Sequence, residues 1–270
     1  MLNAFIWMLK LKDFKKHFIY LTLTTIVSFL IAFYIQTTSL SALFQTILTL
    51  IFLAVPFLAI TGYFWDTTQN VIDRSVDYKF SNIYGKGIKE KLVGIELPDF
   101  NLFKHIWRGI SSLVASVLIM LPLYVLLTIS GRLEELSSIT TMTPTVMICL
   151  FYFSFFPALL WNYAKNNSIV SVFNFPKAVY IMGNYTTRYV IHTVILLALI
   201  FADKIINHVL CLHLTLDIST LTNIGSIISF LQNTDLLLLI LPLIIILIKS
   251  IYLLMVYAYI LGTIAPIDEF

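Results

Sequence analysis

The residue in this chain whose chemistry is hardest to ignore is Lys249. It lies inside an apolar run from Leu236 to Gly262, with thirteen residues on either side of it. At 1.5 Å per residue that is roughly 20 Å from each end. A lysine at such depth in a bilayer costs about 2.5 to 3.5 kcal/mol on insertion scales and must face protein or water. Asp203 is fifteen residues beyond Arg188 in the preceding apolar segment, hence about 22 Å along it. The two depths agree, and side chains lean toward the amino terminus of their helix, so Lys249 should reach toward Asp203. An intramembrane Asp203–Lys249 pair could couple protons or substrate. The plainer role, and the preferred one, is an interhelical lock or a snorkelling lysine.

The remaining reactive types do not assemble into a known chemistry. His17, His105 and His192 fall at or just inside the inner ends of the first, third and fifth apolar runs, where headgroup contact is the expected role. His208 and His213 are five apart, off the spacing that puts two ligands on one helical face, and no carboxylate or thiolate completes a shell. Cys149 and Cys211 have no CxxC spacing and read as small apolar residues. The run YGKGIKEKLVG matches neither GxxxxGK[ST] nor GxGxxG, so it reads as a turn and not as a phosphate cradle. These residues predict no catalytic site, no metal and no cofactor; the chain is expected not to be an enzyme.

The elements that hold these residues are apolar throughout. Of 270 residues 59% are hydrophobic and 11% charged, with mean hydropathy +0.93, whereas a soluble domain carries about a quarter charged residues. A net charge of +3 argues against a nucleic-acid partner and for lipid headgroups. Runs near the ~20 residues needed to cross a bilayer predict an all-α polytopic membrane protein of six spans paired as three hairpins. They run from about Phe18 to Ile35, Ser41 to Trp65, Gly109 to Ser130, Pro144 to Ala164, Tyr189 to His208 and Leu236 to Gly262. Pro56 and Pro157 should kink the second and fourth. The segments 1–16, 66–108 and 165–188 read as interfacial, the first and last with amphipathic helices.

The basic residues set the expected orientation. Four lysines precede the first span, seven Lys and Arg lie between Asp66 and Arg108, and three between Lys165 and Arg188, against Arg132 and Lys204 on the other side. That bias places both termini in the cytoplasm, in a prokaryotic inner membrane. Within the central polar stretch, ELPDFNLFKHIWRGI predicts a helix starting at Pro98 and Asp99, with Phe100, Phe103, Ile106, Trp107 and Ile110 on one face and Lys104 and Arg108 among them. It should anchor the third span at the headgroups.

GYFWDTTQNVID after the second span, ELPDF and WRG before the third, and YILGTIA at the end of the sixth resemble the bacterial and archaeal multipass membrane family named domain of unknown function 4013. The resemblance implies a stand-alone integral membrane protein and supplies no catalytic residues. The function expected is therefore a non-enzymatic membrane component that binds lipids, other membrane proteins or a second copy of itself. The alternative is a small-solute or lipid transporter with a polar path near Lys249.

Overall fold

A computed structural model describes residues 13–83, 97–129, 143–213 and 236–264. All regular structure in them is helical: α1 (Phe14–Gln36), α2 (Ala42–Ile83), α3 (Leu102–Ile129), α4 (Thr143–Asn166), α5 (Phe175–Asn184), α6 (Thr186–His213) and α7 (Leu236–Gly262), with one 3-10 turn at Ile169–Phe173. Four stretches are long and apolar enough to cross a membrane: Phe14–Gln36, Ala42–Asp73, Leu102–Val125 and Thr186–Ile206. This is the make-up of a multipass helical membrane protein. The expected amino-terminal interfacial helix through Lys12 and the glycine-containing turn around Gly85 lie outside the described residues.

The elements end where local chemistry tells them to. Asn101 caps α3 by accepting the amide of Lys104 at 3.1 Å, and Asn174 caps α5 through the amide of Lys177 at 3.1 Å with Pro176 in the first turn. Asn167, at φ 48°, follows the end of α4 in the left-handed conformation that asparagine tolerates. Within the apolar helices several threonines are satisfied by their own helix. Thr24, Thr46, Thr61 and Thr68 each donate to the carbonyl four residues back.

Two expectations about boundaries are corrected. The second apolar run does not give way to a turn after Trp65, because α2 continues unbroken to Ile83. Its 42 residues span about 63 Å, roughly twice a bilayer's hydrocarbon thickness. No Gly or Pro occurs between Asp66 and Ile83, so nothing local stops the helix. Pro98 and Asp99 do not start α3 either; Asn101 does, and 97–101 is a non-helical lead. Pro56, Pro122 and Pro157 all lie inside helices.

Among the described residues α2 is the hub. Its most extensive packing is against α3, then α1, then α7, so the tightest pairing crosses between the first two expected hairpins. Buried apolar residues gather at one end of the bundle: Phe64, Trp65 and Ile72 of α2 meet Ala158, Leu159 and Trp161 of α4, Ile181 of α5 and Leu261 of α7. Leu21 of α1 and Tyr63 pack with Ile251, Met255 and Val256 of α7. Toward the other end, side chains such as Leu43, Val117, Val194 and Phe201 are exposed, as lipid-facing residues are.

Candidate functional site: a buried polar cluster at the α2–α3 crossing

Gly62 and Asp66 are four residues apart on α2, and His105 and Gly109 four apart on α3, so each helix carries a glycine and a polar partner on one face. The glycines set the approach. A Cβ on Gly62 would lie 1.8 Å from the His105 carbonyl oxygen, and one on Gly109 2.2 Å from the Leu58 carbonyl oxygen. Only bare backbone fits at either crossing point, as in close-packed membrane helix pairs.

That approach delivers Asp66 to three basic side chains. Its carboxylate lies 2.9 Å from His105 Nδ1 and 3.7 Å from Lys104 Nζ through one oxygen, and 3.7 Å from Arg108 Nε through the other. His105 is fully buried and Asp66 and Arg108 nearly so. His105 Nε2 faces the Asp99 carbonyl at 3.2 Å. Both ring nitrogens therefore face oxygen atoms. Arg108 Nη2 donates to the Ala164 carbonyl at 3.2 Å, and its guanidinium lies 5.0 Å from the centre of the Tyr163 ring. Nη1 of Arg108 makes no hydrogen bond among the described residues. The Tyr163 hydroxyl pairs with Ser111 Oγ at 3.1 Å.

A second layer joins α1 to the cluster. His17 Nδ1 and the Tyr63 hydroxyl are 2.8 Å apart, and Tyr63 and Phe100 both pack edgewise or tilted against His105. Replacing Tyr63 by phenylalanine removes this one hydrogen bond and keeps the ring. The expected loss is about 1 kcal/mol, read as a lowered midpoint in thermal unfolding of the detergent-solubilised protein.

The arrangement is an electrostatic clasp across α1, α2, α3 and α4. An acid and an imidazole in contact are the parts of an acid–base catalyst, but here both imidazole nitrogens are engaged and Asp66 also faces Lys104 and Arg108. Among the described residues no group of His, Cys, Asp and Glu could hold a metal.

The expected anchor residues divide into two faces. Phe103, Lys104 and Trp107 are 83%, 59% and 73% exposed, pointing to the surroundings. Phe100 instead stacks on Tyr20 with centroids 5.3 Å apart, Pro98 is buried and Asp99 contributes its carbonyl. Arg108 is corrected from an anchor to a core residue: paired with Asp66, it is 3% exposed. His17 and His105 likewise do not sit among headgroups, since both are buried with polar partners. His192 turns back to the Arg188 carbonyl at 2.7 Å. Sequence reasoning missed Gly62, Tyr63, Asp66 and Tyr163. A carboxylate one helical turn after a glycine, at the end of an apolar run, was the available signal.

Two further charged groups lie apart from the clasp. Lys249 Nζ is 2.6 Å from Asp203 Oδ1, joining α6 to α7, with both side chains partly buried. Near α5, Lys165 and Lys177 sit 5.4 and 5.7 Å from the centre of the Trp161 ring. Burial holds both ammonium groups below the ordinary lysine value; the Asp73 charge opposes this at Lys165, and the Lys165 charge adds to it at Lys177.

No known protein family, curated protein or solved structure matches this chain. Its own geometry carries the remaining argument. The described parts of the segments GYFWDTTQNVID, ELPDF, WRG and YILGTIA meet at one end of the bundle: Asp66 with His105 and Arg108, Asp99 with His105, and Gly262 against Val71.

Proposed function

We propose that the chain is a six-span, non-enzymatic component of a prokaryotic cytoplasmic membrane, with both termini cytoplasmic, and that it works by holding lipids, other membrane proteins or a second copy of itself. One observation carries this reading. The Asp66 carboxylate and both nitrogens of the His105 ring are engaged by neighbouring groups of the fold, while the apolar and aromatic surface, with Phe103 and Trp107 at its basic end, is open to the surroundings. The six-span count is supported by Tyr189 at the start of α6 sharing one buried cluster with the ends of α4 and α7, and by Leu21 near the start of α1 sharing a second with α7, as alternating spans require. Membership in domain of unknown function 4013 belongs to the same proposal, supported by the convergence of the four segments that carry the resemblance. The test is mass spectrometry of the protein purified in mild detergent. A defined phospholipid or membrane protein retained through purification is the expected result. A preparation that retains neither and moves solute in proteoliposomes overturns it.

The second reading, a transporter, is favoured by the close Asp203–Lys249 contact within apolar helices. Lys249→Met separates the two. On the preferred reading the variant assembles and any solute flux through proteoliposomes stays at the level of the unmodified protein; loss of a measurable flux with assembly intact establishes the transporter.

A further inference from the structure

Beside the clasp, α1 and the lead into α3 leave a groove of about 370 Å³ floored by Val55 of α2. Tyr20, Leu23, Val27, Phe100 and Leu102 form its walls. Thr24, also in the lining, donates its hydroxyl to the Tyr20 carbonyl at 2.8 Å, which removes that donor from the groove. Ser28 is the other hydroxyl residue of an otherwise apolar lining, so a polar solute would lose its water there for few partners. From Tyr20 to Ser28 the groove follows eight residues of α1, about 12 Å along the helix axis, within a stretch apolar enough to cross a bilayer.

Its mouth has a different character. Tyr20 stacks on Phe100, and one turn earlier Lys16 holds its ammonium 5.9 Å from the centre of the Tyr20 ring. Lys15 and Lys16 are exposed there, as are Asp13 and Asp99; Lys104, also near this end, is engaged with Asp66. An apolar slot ending at a cation over an aromatic ring has the shape and charge order of a phospholipid, chain inward and phosphate outward.

We propose that this groove is a specific site for one phospholipid, its acyl chain along Leu23 and Val27 and its phosphate on Lys16. The site rests on the lipid-holding function proposed above and names where that lipid binds. Annular lipid would wet every exposed helix equally. A lipid in this groove would be held by α1, Val55 and Phe100 together.

The test uses the full chain in mixed phosphatidylcholine–phosphatidylglycerol vesicles with a phosphatidylglycerol that carries a diazirine in its acyl chain. Adducts are mapped after illumination. The expected result is adducts concentrated on Leu23, Val27 and Val55 over the exposed α6 residues Val194 and Leu197. Val27→Trp should fill the groove and remove the enrichment while leaving α6 adducts and the unfolding midpoint unchanged. Lys16→Gln should lower groove adducts about fivefold, the weight of one lysine at an anionic surface, and Lys16→Arg should restore them. Equal yields on the groove and on α6 overturn the site. If lipid is nonetheless retained through purification, only the groove fails and the lipid-holding function stands; if no lipid is retained, both fail.

Discussion

Asp66→Ala is expected to destabilise the protein by about 3 to 5 kcal/mol, the cost of leaving buried charges without their partner. The carboxylate is 5% exposed and faces His105, Lys104 and Arg108. Lys104 is 59% exposed and can turn to solvent; Arg108 and His105 cannot. Thermal unfolding in detergent reads the loss. Adding Arg108→Met to Asp66→Ala should recover part of it, because an apolar side chain in that position leaves one fewer buried charge unpaired. A single replacement that leaves the midpoint unchanged would show that the clasp does not hold the helices together.

The second large effect belongs to the glycines. Gly62→Ala must displace the His105 carbonyl, and Gly109→Ala the Leu58 carbonyl, since the added carbon would otherwise sit 1.8 or 2.2 Å from a backbone oxygen. Backbone cannot step aside as a side-chain tip can, so the two helices must separate, and overpacking of this kind costs about 1 to 3 kcal/mol or more. The loss should exceed the methyl's own volume effect because separation also pulls Asp66 away from His105. Gly183→Ala is the control. It lies in α5 with nothing within 4 Å of the added carbon and should be neutral or stabilising by up to about 1 kcal/mol. Equal effects at all three positions would contradict the crossing geometry.

The two effects show which parts of the molecule the sequence made legible. Apolar runs became helices close to the expected ends for α4, Thr143–Asn166, and α7, Leu236–Gly262, because length and hydropathy are the signal a bilayer imposes. Depth arithmetic from a fixed rise per residue was enough to consider Asp203 and Lys249 together, and they lie 2.6 Å apart. The end of α2 was not legible. The change of composition at Asp66 marks where the apolar stretch stops, whereas the helix goes on to Ile83. The clasp was hidden by a reversal of the usual rule. On α3 the recurring Phe103, Trp107 and Ile110 face outward, and the polar His105, Arg108 and Ser112 face the core, since in lipid it is the polar groups that need protein around them. Nothing local linked Asp66 to His105, which are 39 positions apart; their contact depends on two glycines whose role appears only when the helices cross.

The clasp between Asp66 and His105 is the centre of the account, and a double-mutant cycle tests it most directly. Asp66→Asn, His105→Gln and the pair are compared by unfolding in the same detergent. The expected coupling is about 1 to 3 kcal/mol, as for residues in one buried charged network. Additive losses, within about 0.5 kcal/mol, would mean that the two side chains do not act on each other and would contradict the clasp.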